Sequence, residues 1–400
     1  MDPPTSRKLR FLVVSGGFKE IPAKQAANHI EEGIRRVFPD ESALIYKLPV
    51  HDAGPGFCQA VVAARNGQLR KATVFRHGVV FPFHYGLIDN GKTSVFDVEA
   101  TIGFKFVPFH EIRLEELTSY GIGRRIVHAL DSGCTKIVIG CGDVARCDGG
   151  AGMLQALGAK LLDVNGEEIP IARGAKSLSL LGSIDMSNVH YRLRQPGKIQ
   201  IEAVSCLVNP FYFSQGFKPI FGSLKTTLEQ PESHALILDR FAMVVGKMLK
   251  DDVRGKAGSG VSGGLGLGLM MLRAQFRTTE EAADEYFGLS SLFDEPWDLV
   301  IVGEGCVNTL FSRGTIAMEV ARHAQERAIP AVVVADTIWD KPADLYGRGV
   351  TSFTSIFDGS TSMNNSTDRL LKDAVERSMR MIRIGISVSG EQIESQTHQG

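Results

Sequence analysis

The feature that most constrains this chain is a rhythm present at both ends and broken in the middle. Residues 9–14 form a short apolar run that ends in Ser15-Gly16-Gly17. Ala23, Ala26, Ala27, Ile30, Ile34 and Val37 then recur at three- and four-residue spacing between Pro22 and Pro39, which predicts a helix. A second strand is expected over residues 43–50, followed by Ala53-Gly54-Pro55-Gly56 and a helical stretch at 59–65. Strand, glycine turn, helix, strand is a βαβ unit, and it calls for a parallel sheet covered by helices. The same alternation returns late in the chain. Strands are expected at 299–302, 331–335 and 352–357, with helices at 316–325 and 368–381.

Between these ends the pattern changes. Residues 71–83 and 85–98 read as antiparallel strands, with Asp89-Asn90-Gly91-Lys92 as a tight turn. Asn-Gly between β-rich runs favours a hairpin, because both central residues of a type I′ turn need positive φ. Helices are expected at 123–130, 153–157 and 233–249, and strands at 136–140 and 198–206. The economical arrangement is one discontinuous α/β domain, residues 8–66 and 290–390, with a mixed α/β domain, 67–289, inserted into it. Residues 391–400 are polar and are expected to form a flexible tail. A cleft between two such domains would be the natural ligand site.

Composition excludes several function classes. The 400 residues carry 44 basic and 45 acidic side chains, so no charge excess draws the chain to nucleic acid or to an anionic membrane. No apolar run approaches the ~20 residues of a bilayer span. The six cysteines are scattered without a CxxC pair, and the histidines show no HExxH spacing. A cytoplasmic protein without structural zinc is the expectation.

Three glycine-rich segments fall where strands meet helices: residues 140–152, residues 258–268 and Gly303-Glu304-Gly305. Glycines let backbone N–H groups approach an anion, and a following helix adds its positive end. They equally permit tight turns and close packing, and both uses stay open here. Gly258, Gly260 and Gly263 match GxGxxG, yet no convincing strand precedes them and no Walker lysine follows. Gly264 extends the same cluster. Charged residues stand beside these turns: Lys19, Asp52, Asp148 and Glu304. One cation with several acids is the set that phosphoryl transfer uses. The cation neutralises phosphate oxygens, one carboxylate holds a metal and another takes the hydroxyl proton. Each could instead be an ordinary loop charge or helix cap.

These residues also carry a family resemblance. Gly17-Phe18-Lys19-Glu20, Leu48-Pro49-Val50-His51-Asp52, Thr118-Ser119-Tyr120-Gly121 and Ile139-Gly140-Cys141-Gly142-Asp143 are similar to blocks of the type I glycerate kinases, especially their fungal branch. The run from Asp148-Gly149-Gly150-Ala151-Gly152 through Ala159 is the most distinctive, and Phe221-Gly222, Lys225, residues 258–269 and 298–305 continue it in order. The resemblance implies a Rossmann- or flavodoxin-like parallel-sheet domain plus a second mixed α/β domain. It also implies phosphorylation of a hydroxyl of glycerate or a related small hydroxy acid with ATP and Mg²⁺.

On that pattern Lys19, Asp52 and Asp148 are the catalytic candidates. Gly258, Gly260, Gly263, Gly264, Glu304 and Lys225 would bind nucleotide, and Asp148 and Glu304 would bind metal. Several positions depart from the family pattern. Ile21 replaces a hydroxyl, Asn308 an aspartate, Leu310-Phe311 a Gln-Thr pair and Thr315 a lysine. They leave open an alternative: a member that has lost ATP-dependent transfer and uses its cleft for other chemistry or binding in a specialised-metabolite pathway.

Overall fold

The computed structural model describes residues 7–18, 21–76, 79–98, 118–142, 148–171, 174–206, 231–307, 315–339, 341–357 and 366–397. Two compact units emerge. One comprises Met1–His51 with Ala283–Gly400, and the other is Asp52–Ala282.

The first unit is built on five strands: β1 (Leu9–Ser15), β2 (Ala43–Pro49), β11 (Leu299–Val307), β12 (Ala331–Ile338) and β13 (Ser352–Ser355). All neighbours are parallel and the order is β13-β12-β11-β1-β2. Within this unit that is the flavodoxin-like order 2-1-3-4-5, whose direction of winding reverses between β1 and β11. Near-continuous apolar strands make sense here, because both faces are covered. One face packs on α1 (Ala23–Arg35) and on the long last helix, which spans Thr367–Thr397. The other carries the helix Ile316–Glu326.

The second unit has a six-stranded sheet of β3 (Gln68–Arg76), β4 (Val79–Ile88), β5 (Thr93–Asp97), β6 (Lys136–Gly140), β9 (Gln200–Ser205) and β10 (Gln275–Thr278). Its order is β10-β9-β6-β5-β4-β3. β5, β6, β9 and β10 run parallel, while β3 and β4 form the antiparallel edge. A two-stranded ribbon, β7 (Lys160–Asp163) with β8 (Leu181–Asp185), lies apart from the main sheet. The helices that matter for the site are α2 (Phe57–Ala64), α3 (Tyr120–Asp131), α4 (Ala151–Ala156), α5 (Pro231–Leu249) and α6 (Val261–Met271). The two helices of the first unit that follow in the chain are α7 (Ile316–Glu326) and α8 (Thr367–Thr397).

Three differences from the sequence expectations have plain causes. The first segment of unit one ends at His51 rather than Asn66. α2 packs on β4 and β5, so close that a Cβ on Gly86 would lie 2.2 Å from a Val62 methyl carbon. The strand expected to break at His84 continues unbroken from Val79 to Ile88, and the turn after it takes positive φ at Asp89, Asn90 and Gly91. Finally, α8 runs to Thr397, so the tail expected at 391–400 is helical over most of its length. Polarity alone does not decide between a helix and a loose end. Among the described residues, no helix is long and apolar enough to cross a membrane.

Candidate active site

In unit one the strands lead the site residues to the carboxyl edge of the sheet. Ser15 pairs with Gly303, and the Gly16 N–H donates to the Gly303 carbonyl at 2.8 Å. The two strands can approach this closely because position 303 is glycine; a Cβ there would sit 2.4 Å from Ser15 Oγ. Glu304 follows and its carboxylate lies over Gly16. A Cβ on Gly16 would be 3.6 Å from Glu304 Oε2. Glu304 Oε1 accepts the Gly305 N–H at 3.0 Å, and the residue is half-buried. Among the described residues Glu304 therefore stands beside the Gly16 backbone at the switch point between β1 and β11, where ligands of open parallel sheets collect. α7 begins on the same face. Its N-cap is Thr315, which directs the positive end of the helix to this edge.

In unit two, Asp148 was expected as catalytic acid–base and metal ligand, and it has a different setting. It is 2% exposed. Its Oδ1 accepts Ser119 Oγ at 2.6 Å and the Gly150 N–H at 3.1 Å. Its Oδ2 accepts the N–H of Ser119 at 3.1 Å and of Gly152 at 3.0 Å. An ionised carboxylate offers about four lone-pair directions, so these donors use its whole capacity. Ser119 opens α3 and Gly150 opens α4, so one buried negative charge faces two positive helix ends. Such an arrangement holds the two helices and leaves no coordination direction for a metal.

The glycine segments of unit two pack against one another. Gly150 has φ +92°, and a Cβ there would meet Gly268 Cα at 2.8 Å. The Gly268 N–H donates to the Gly149 carbonyl at 2.9 Å. Gly258, expected to approach a nucleotide, is covered by the Phe276 ring, 2.5 Å from where its Cβ would be. Gly260 is the N-cap of α6, and Ser262, Gly263 and Gly264 make three successive left-handed residues inside that helix. Ser262 Oγ donates to the Gly142 carbonyl at 2.9 Å. On its other side Gly142 touches the turn after Asp52, where a Cβ would lie 2.8 Å from Gly54 Cα. The Asp52–Gly56 turn, the end of β6 and the left-handed turn at Ser262 are thus brought together. Lys19 and Lys225 lie outside the described residues, as do Arg146, Cys147, Asn308 and Arg313.

Two residues not singled out in the sequence shape this region. Asp97, at the end of β5, accepts the N–H of Gly56 at 2.9 Å and of Cys58 at 2.8 Å, fixing the start of α2. Arg125 of α3 donates to the Asp97 carbonyl at 2.9 Å and lies over the Phe83 ring at 4.5 Å. Burial holds its guanidinium down at about 10, partly offset by the Asp97 charge. An acid closing an apolar strand was the one local signal for Asp97. Nothing local marked Arg125. Burial pushes the thiols of Cys58 and Cys141 up to about 12, which removes both as nucleophiles at neutral pH. Among the described residues, no group of three or more His, Cys, Asp or Glu side chains could hold a metal ion.

Comparison with known proteins gives one answer. The model of the glycerate kinase family matches residues 11–383. A glycerate kinase of Bacillus subtilis is 32% identical over 95% of this chain and 98% of its own length. A glycerate 2-kinase of Escherichia coli is 34% identical over 87% of this chain and 90% of its own. The crystal structure of a candidate glycerate kinase 2 from Salmonella typhimurium LT2 superposes with a TM-score of 0.77 and 29% identity, covering 95% of this chain and all of that one. With the family pattern running through both units, the chain belongs to the glycerate kinase family.

Proposed function

We propose that this chain transfers a phosphoryl group from ATP to a hydroxyl of glycerate or a closely related small hydroxy acid. The observation that carries the proposal is Glu304 beside Gly16 at the β1/β11 switch point, within a chain that matches the family over residues 11–383. A Mg²⁺ ion arriving with the nucleotide would supply charge neutralisation of the phosphates and would need a protein carboxylate to hold it. Glu304 fits that demand: it is half-buried and its carboxylate lies beside Gly16. Asp148 does not, because its oxygens are already engaged by four donors.

In this reading Lys19 neutralises phosphate oxygens, and Lys225 assists on the nucleotide. Asp52 accepts the proton of the attacking hydroxyl. Asp148 is a positioning residue that fixes α3 and α4 rather than a ligand. Gly263 and Gly264 orient backbone N–H groups, while Gly258 and Gly260 serve the turn that carries them. The substrate is a free small molecule, and a cytoplasmic location belongs to the same reading. A chain that had lost transfer gains no support from relatives named as kinases.

The test is ADP release coupled to D-glycerate, with Lys19→Ala as the reference. Turnover that requires glycerate and is lost in the variant supports the proposal. Absence of turnover above that variant, across D-glycerate and other short hydroxy acids, rejects it.

A further inference from the structure

β11 and β12 run past the rest of their sheet. β1 stops at Ser15, opposite Gly303, whereas β11 continues to Val307 and β12 to Ile338. The Trp339 N–H still donates to the Val307 carbonyl at 2.9 Å, so the ladder holds one residue further. Side chains alternate along a strand, and partners in register share a face. Glu304 and Cys306 on β11 therefore lie on the face of Ala335, Thr337 and Trp339 on β12, and Ala335 pairs with Ser355 of β13. Beyond Ser355 the chain bends, the Phe357 N–H donating to Ser355 Oγ at 3.0 Å, and Phe357 stands at this same end of the sheet. Gly16 belongs to it as well, since its missing side chain would point at the Glu304 carboxylate. Trp339 is 73% exposed and Phe357 62%, an unusual display for two large rings at one sheet edge.

We infer that this edge is the nucleotide subsite, with the purine base of ATP stacked on Trp339 and flanked by Phe357, and its phosphates directed toward Gly16, Glu304 and the start of α7. The spacing suits such a ligand. Glu304 is level with Ala335, and Trp339 lies one strand over and four residues further on, about 14 Å away at roughly 4.8 Å per strand and 3.3 Å per residue. A ribose with its phosphates spans that interval. Every π-face of a base stacks on indole, and the hydroxyl of Thr337 lies on the same face, between the acid and the rings. The assignment takes its ligand from the kinase reading, but its residues all come from unit one.

The chain has two tryptophans, and only Trp339 is freely exposed; the Trp297 indole N–H is engaged by the Leu292 carbonyl at 2.6 Å. Binding of Mg-ADP is therefore followed by fluorescence in Trp297→Phe protein and by calorimetry in the Trp339→Ala, Trp339→Phe and Phe357→Ala variants. Base stacking is removed at about tenfold or more in affinity. The expected result is a tenfold weaker ADP affinity and higher KM for ATP in Trp339→Ala, with KM for D-glycerate and melting temperature unchanged, and recovery in Trp339→Phe. Affinity and KM for ATP within twofold of the parent in both Trp339→Ala and Phe357→Ala overturn the subsite while leaving glycerate turnover, and so the kinase reading, intact. ADP binding that depends on Trp339 in a protein without glycerate turnover upholds the subsite and overturns the kinase reading instead.

Discussion

The two units treat an acid at a glycine turn in opposite ways. In unit two Asp148 is sunk to 2% exposure and surrounded by four donors from the starts of two helices. In unit one Glu304 is half-buried, its carboxylate beside the backbone of Gly16 and its Oε1 accepting the N–H of its own neighbour Gly305. The sequence surroundings look alike, since each acid adjoins glycines. What separates them is whether helix N-termini or open backbone face the carboxylate. A buried charge with every lone pair used is a fastener, and the half-buried one at a switch point is the one we propose for chemistry.

The comparison is broken most forcefully by removing the fastener. Asp148→Ala leaves two helix ends and a hydroxyl without their shared acceptor, so stability should fall by about 3–5 kcal/mol. Chemical denaturation measures this directly; a loss below about 1 kcal/mol would show that the carboxylate is not what holds α3 to α4. Next comes the packing beside it. Gly150→Ala forces a side chain into φ +92° and against Gly268, and should cost about 2 kcal/mol. An unchanged denaturation midpoint would mean that the backbone shifts freely there, contrary to the contact. The smallest effect concerns the thiols. Cys306 is exposed, whereas burial holds the Cys58 and Cys141 thiols at about 12. With iodoacetamide at pH 8, mass spectrometry should find Cys306 modified before either of them, with no loss of folded protein. Early labelling of Cys141 would show that unit two opens far more readily than its core implies.

Much of the fold was legible because periodicity is a local signal. The alternation of apolar runs and glycine turns placed β1, α1, β6 and α7 within a few residues, and the Asn90-Gly91 pair marked the turn after β4. Boundaries set by distant contacts were not legible. α2 reads as part of the first βαβ unit until its packing on β4 and β5 is seen. β11 was expected to stop at Val302, yet it runs through Gly303-Glu304-Gly305 to Val307, because β12 continues beside it.

The candidate site divides in the same manner. Charged residues beside glycine turns pointed to Glu304 and to Asp148, and their different hydrogen bonds suggest the different roles we propose for them. Asp97 and Arg125 escaped notice because their function depends on partners about 30 to 40 residues away in the chain, among them Gly56 and Cys58. Gly258 illustrates the converse. Its motif spacing suggested a phosphate, and its place beneath Phe276 follows from a strand pairing that no local pattern discloses.

The most direct test of the account is the turnover number of Glu304→Gln with saturating ATP and D-glycerate, measured beside its melting temperature. The substitution keeps shape and removes charge at the proposed transfer centre. The account predicts a fall of about 10²–10³ in kcat, the scale of a lost electrostatic stabiliser, while the melting temperature stays with the parent. A kcat equal to that of the parent would contradict it, and phosphoryl transfer would then have to be located away from the β1/β11 edge.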